Sequence, residues 1–136
     1  MEPRRTILLV DDNQTHRYAL GRHLEESGFT VVCAESGSAA FEAIDTHKPD
    51  AILLDINLPD MTGFDICKQL KTDKGTQGIP VIFHSATHDT ATARSYASDL
   101  GAASFLSYPI HIEHLVSVLW GAIAHARKIE LPCANL

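Results

Sequence analysis

Along this chain, short apolar runs alternate with longer stretches in which apolar residues return every three or four positions. The runs are Thr6–Val10 (TILLV), Thr30–Ala34 (TVVCA), Ala51–Asp55 (AILLD) and Val81–Ser85 (VIFHS), with a weaker fifth at Ser104–Ser107 (SFLS). Most are leucine-rich or β-branched with little polar alternation, which predicts strands covered on both faces. Each stretch between them predicts a helix. The first begins after Asn13, an N-cap residue type, and ends at Gly28, with Leu20 and Leu24 as its inner face beside Tyr18 or Ala19. The second starts near Ser36, carries Ala40, Phe41 and Ile44, and stops before Pro49. The third follows Gly63 with Phe64, Cys67 and Leu70, and an alanine-rich fourth runs from about Thr90 to Leu100 before Gly101. The fifth is the clearest, because Ile112, Leu115, Val116, Leu119, Ala122 and Ile123 form one continuous helical stripe.

Five βα units in succession place the chain in the α/β class, as a doubly wound five-stranded parallel sheet with helices on both faces. Its 136 residues fit one domain, and 45% hydrophobic with 21% charged residues is a normal globular mixture that can bury a core without staples. A net charge of -6 argues against a nucleic-acid backbone as a direct partner. Cys33, Cys67 and Cys133 have no metal or redox spacing and read as thiols in a reducing compartment. The opening MEPRRTILLVDDN has an apolar run only from Ile7 to Val10, too short for a signal peptide or a membrane span. The expectation is a cytoplasmic protein with no membrane contact.

In a parallel sheet of this kind, ligands bind beyond the carboxyl ends of the strands. The first strand runs into Asp11 and Asp12, the third ends at Asp55, the fourth at Ser85, and the fifth leads to Tyr108 and Pro109. Two like charges about 4 Å apart cost about 4 kcal/mol at an effective dielectric near 20. A cation must neutralise such a group, or one acid must stay protonated. Oxygen-only ligands at an open edge suit Mg²⁺ or Mn²⁺. Asp55 opens DINLPDMTG, in which Pro59 fixes a turn and Gly63 relieves backbone crowding. A carboxylate on a stiff loop beside a cation can attack a phosphoryl group to give an acyl phosphate, with Ser85 donating to a phosphoryl oxygen.

LLVDDN (Leu8–Asn13), LLDINLPDMTGFD (Leu53–Asp65), IPVIFHSA (Ile79–Ala86) and LGAASFLSYPI (Leu100–Ile110) together resemble the receiver domain of two-component response regulators. The likeness extends from about Thr6 to Lys128, so residues 1–128 read as the receiver and 129–136 as a tail or the start of a linker. It implies a flavodoxin-like sheet in the order 2-1-3-4-5. It implies that Asp55 takes a phosphoryl group from a sensor histidine kinase or phosphotransfer protein, the receiver catalysing at most its own phosphorylation and dephosphorylation. Asp12, Asp55 and the backbone carbonyl of Asn57 would bind Mg²⁺, with Asp11 helping, often through water. Ser85 and Phe105 would form a switch pair, the ring turning inward as the hydroxyl moves toward the phosphate. That movement would reshape the surface of the fourth helix, fifth strand and fifth helix, through which a homodimer is also expected. Asn57 and Thr87 would tune the lifetime of the phosphoryl group. The Tyr108–Pro109 bond would be cis.

Receivers usually carry a lysine where this chain has Tyr108. A phenol cannot act as that cation, and its single neutral hydrogen bond has about half the strength of a charge-assisted one. Two alternatives follow from the same residues. One is a pseudo-receiver that contacts proteins without being phosphorylated. The other resembles receivers at the N-terminus of multidomain sensor kinases, a flavour shared by NQTHRYALGRHLEESGF (Asn13–Phe29), against a single-domain regulator ending at Leu136. A haloacid-dehalogenase-type phosphatase would need D-x-D-x-T, and DDNQT (Asp11–Thr15) has Asn13 where the second aspartate should be. Among the histidines, His111 and His114 read as surface residues, His88 as a loop residue near the phosphate, and His84 should point away from Ser85 across its strand. Trp120 reads as edge packing; partly exposed beside Leu119, it would make a dimer contact.

Overall fold

This computed structural model describes residues 4–87 and 90–127. The chain runs β1 (Thr6–Val10), α1 (Gln14–Glu26), β2 (Thr30–Ala34), α2 (Gly37–His47), β3 (Ala51–Asp55), α3 (Gly63–Thr72), β4 (Val81–Ser85), α4 (Ala91–Asp99), β5 (Ser104–Ser107) and α5 (Ile112–Arg127). His88, Cys133 and the 129–136 segment lie outside the described residues. Asn13, Ser36, Thr62 and Thr90 each accept a hydrogen bond from the backbone N–H three residues on, and so cap α1 to α4. The strands form one parallel sheet in the order β2-β1-β3-β4-β5.

The two-residue period of the strands sorts the core into two layers. Leu8, Val10, Ile52, Leu54, Phe83 and Phe105 face one side and pack with Ala40 and Ile44 of α2, Ile66 and Leu70 of α3 and Ala97 of α4. Ile7, Leu9, Leu53, Ile82 and Leu106 face the other and pack with Leu20 and Leu24 of α1 and Leu115, Leu119 and Ile123 of α5. The three central strands are almost wholly buried, as their unbroken apolar runs require.

Val31 of β2 packs on the α1 and α5 layer and Val32 and Ala34 on the α2 layer, so this strand too is covered on both faces, though less deeply, because it lies at the edge of the sheet and Cys33 is exposed. Two expectations need correction. Tyr18 and Ala19 are exposed rather than on the inner face of α1. The inner stripe set by Leu20 and Leu24 continues one turn earlier through His16 and Arg17, which lie three to four residues before Leu20. Finally, Trp120 is half-buried and packs at the edge on Phe29 at a ring separation of 5.3 Å, as read, but Leu119 is fully buried and cannot share a dimer contact with it.

Gly63 marks the tightest backbone approach near the edge where the strands end. Its N–H donates to the Ile56 carbonyl at 2.7 Å, and a Cβ there would collide with the carbonyl oxygen of Asp55. The obstacle is backbone and cannot rotate aside. Gly63→Ala is therefore expected to destabilise the chain by about 1–3 kcal/mol, read as a lower urea midpoint with an unchanged slope.

Candidate functional site

Asp11 follows β1 and prolongs its ladder, its N–H donating to the Ala34 carbonyl at 3.1 Å. Asp55 ends β3, paired in register with His84 of β4. Asp12 lies beside Asp11 and is exposed. One carboxylate oxygen from each of Asp11, Asp12 and Asp55 lies within 4.8 Å of the others. The three acids expected to converge do so, at the carboxyl edge of the sheet.

The loop carrying Asn57 is tied down on several sides. The Ile56 N–H donates to Asp55 Oδ1 at 2.7 Å. Asn57 and Thr62 form an antiparallel bridge across the loop, and Thr62 caps α3. Asp60 accepts from the Gly37 and Ser38 N–H groups at 2.7 and 2.9 Å, fastening the loop to the start of α2. Those two N–H groups hold the Asp60 carboxyl below the usual carboxylate range.

Burial, then the neighbouring charge of Asp11, pushes the Asp55 carboxyl up to about 7, against the opposing N–H groups of Ile56 and Asn57. The groups that offset Asp11 come mainly from α1. Asp11 is 1% exposed. Its Oδ1 accepts from the Asn13 N–H at 2.8 Å, and its Oδ2 lies 3.2 Å from His16 Nδ1. Arg17 donates to the Asp11 carbonyl at 2.7 Å and reaches Glu35 at 3.7 Å. His16 and Arg17 are thus the part of the site that the sequence reading missed. The apolar stripe of α1, extended back by one turn, was the signal that could have found them.

Tyr108 follows β5, its N–H donating to the Ser85 carbonyl at 3.2 Å, and the Tyr108–Pro109 bond is cis. Its ring stacks on His16 with centroids 4.7 Å apart, and its hydroxyl lies 3.1 Å from His84 Nδ1. Burial, then the charges of Asp11 and Asp55, pushes the phenol well above its ordinary range, so it stays neutral. His84 does point away from Ser85, and that direction is the one that matters. It shares the α1 and α5 side with Asp11 and Tyr108, fully buried, 3.9 Å from Asp11 Oδ2. Burial pushes its imidazolium down to about 4, so it too is neutral near pH 7.

Ser85 lies on the opposite side of β4, 1% exposed, its Oγ accepting from the Thr87 N–H at 3.3 Å. Phe105 is 9% exposed and packs toward Phe83. The Arg94 guanidinium covers its ring at 4.8 Å and donates to its carbonyl at 3.2 Å. His111 and His114 are on the surface, as expected.

Residues 7–119 match the profile of the response regulator receiver domain. The chain belongs to that family. It is 36% identical to Protein PilH of Pseudomonas aeruginosa over 118 residues, which is 87% of this chain and 97% of PilH. It is 34% identical to the response regulator MprA of Mycobacterium ulcerans, covering 91% of this chain but only 52% of that protein, so it spans about half the length of such relatives. The crystal structure of a response regulator from Chloroflexus aurantiacus superposes with a TM-score of 0.84 at 30% identity, over 90% of this receiver and 99% of that chain. Receivers are signalling modules of two-component systems rather than general enzymes, work with histidine kinases or phosphotransfer proteins, and typically bind Mg²⁺ in an acidic pocket. The receiver's described helices include none long and apolar enough to cross a membrane.

The raised Asp55 carboxyl gives the metal-free receiver a pH signature. Its folded value is about 7, against about 3.9 when unfolded. Its contribution to stability is therefore complete below about pH 4 and is lost as pH rises through about 7. Asp55→Asn removes that loss. The variant is expected to melt above the wild type at about pH 8 in EDTA, with the gain shrinking toward about pH 5.

Proposed function

We propose that Asp55 is the phospho-acceptor of this receiver. The observation that carries the reading is the convergence of the Asp11, Asp12 and Asp55 oxygens within 4.8 Å at the end of the strands. A carboxylate oxygen of Asp55 forms an O–P bond as the N–P bond of a phosphohistidine breaks, and the bonding pair leaves on the imidazole nitrogen. The product is an acyl phosphate. The donor set is all oxygen and carries surplus negative charge, which fits a hard divalent cation. Asp12, Asp55 and the Asn57 carbonyl would hold Mg²⁺, or Mn²⁺, with Asp11 acting through water. Such an ion screens charge on the acceptor and on the incoming phosphoryl oxygens.

Ser85 donates to one phosphoryl oxygen and, with Phe105, forms the switch. Phe105 already lies inward under Arg94, so the movement read out on the α4-β5-α5 surface centres on the Arg94 contacts to Phe105 and Ser107. Residues 1–128 form the receiver and 129–136 a tail or linker start. The partners are a sensor histidine kinase or phosphotransfer protein, with a homodimer through α4-β5-α5, in the cytoplasm.

The second reading is a pseudo-receiver, favoured by a half-buried neutral phenol at the position where the resemblance puts a lysine. The phosphatase reading has no support, since Asn13 is occupied in capping α1.

Two outcomes follow. With acetyl phosphate and Mg²⁺, intact mass is expected to show one phosphoryl adduct on the wild type and none on Asp55→Asn; an unlabelled wild type establishes the pseudo-receiver instead. Millimolar Mg²⁺ is expected to raise the wild-type melting temperature, and to do so less for Asp55→Asn, because the ion relieves the repulsion among the acids.

A further inference from the structure

His84 has no part in the chemistry above, yet it is a fully buried polar side chain placed among Val10, Asp11 and Tyr108. Its two nitrogens have different neighbours. Nε2 lies 3.3 Å from the Val10 carbonyl oxygen. A carbonyl can only accept, so Nε2 carries the hydrogen of the neutral ring. Nδ1 then presents a lone pair. The group opposite it is the Tyr108 hydroxyl, at 3.1 Å, so Tyr108 donates to His84. The other tautomer would set a lone pair of Nε2 against the Val10 oxygen in a dry interior, which is costly.

The direction of this bond matters because Asp11 is the other acceptor within reach of the same hydroxyl, close enough for a hydrogen bond between them to raise the phenol. Each carboxylate oxygen of Asp11 has two lone pairs. One on Oδ1 serves the Asn13 N–H, and one on Oδ2 serves His16 Nδ1. The remainder are what Asp11 can offer to water or a cation. A phenol donating to Oδ2 would take one of them. With its single proton committed to His84, Tyr108 leaves that lone pair available, while the stacked ring of His16 limits how far the phenol can swing.

We propose that His84 is a positioning residue of the acidic site, which accepts a hydrogen bond from the Tyr108 hydroxyl and thereby keeps the phenol from occupying Asp11. The cation-binding half of this inference rests on the function proposed above; the hydrogen-bond half does not.

The test has two arms. In ¹⁵N-labelled wild type without added metal, His84 is expected to show a protonated Nε2 and a hydrogen-bonded, unprotonated Nδ1. Tyr108→Phe should move the Nδ1 resonance toward that of an unbonded ring nitrogen. A wild-type His84 protonated at Nδ1, or one unaffected by Tyr108→Phe, overturns the proposal without recourse to any variant of the buried histidine. In the second arm, Mg²⁺ affinity is measured by calorimetry. His84→Leu is expected to weaken it about three- to tenfold, the scale of one misdirected hydrogen bond. The double variant with Tyr108→Phe should return to within about twofold of Tyr108→Phe alone, and His84→Gln, which keeps an acceptor, should lie near the wild type. A loss that persists undiminished in the double variant shows a merely structural role and overturns the proposal. Absence of Mg²⁺ uptake by the wild type overturns the proposed function and the cation-binding half together, while the nitrogen resonances still decide the hydrogen bond.

Discussion

Asp11, Asp12 and Asp55 repel one another across less than 5 Å, and the surrounding fold prevents them from relaxing apart. Asp11 is fixed by its ladder bond to Ala34, Asp55 by β3 and the Ile56 N–H, and the loop beyond Asp55 by its bonds to α2 and α3. Burial makes the repulsion worse, because a charge half out of water interacts more strongly with its neighbours. Burial first, and then the charge of Asp11, raise the Asp55 carboxyl. A sheet packed on both faces can hold such an arrangement; a flexible loop would simply spread the charges. The acidic cluster thus draws on the stability of the two hydrophobic layers beneath it.

The Asn13 N–H and His16 offset the Asp11 carboxylate directly, while neutral rings pack beside it. The groups packed on Asp11 are aromatic and nitrogenous: His16 at Oδ2, His84 behind it and Tyr108 between the two rings. The tyrosine at the end of β5 is thus not a vacant position. It is seated between imidazoles from α1 and β4, with its hydroxyl committed to one of them. Such a seat is a neutral assembly, and a neutral hydrogen bond is weaker than a charge-assisted one.

The same edge connects the acids to the surface. Ser85 and His84 are adjacent on β4 and face opposite layers, and Tyr108 is bonded to both, by its backbone to Ser85 and by its hydroxyl to His84. Phe105 stands three residues before Tyr108 under Arg94, which also touches Ser107. Short contacts thus join the acidic edge to β5 and to Arg94 of α4. Trp120 faces elsewhere, toward Phe29, and plays no part in this path.

Most of the fold was legible in the chain itself. Apolar runs of strand length, N-cap residues and the stripe of α5 are local signals, and they placed the elements to within a few residues. The convergence of Asp11, Asp12 and Asp55 was legible too, because parallel strands must end at one edge. Burial at the margins was not: Cys33 of β2 is exposed within an apolar run, and α1 seemed to turn Tyr18 or Ala19 inward. Both depend on which neighbours a surface receives, and composition does not record that. His84 shows the division most clearly. The two-residue period determined that it faces away from Ser85. Only the tertiary structure decided that Asp11 and Tyr108 would be there to meet it, because hydrogen bonds and buried charges depend on distances between segments far apart in the chain, which no local pattern encodes.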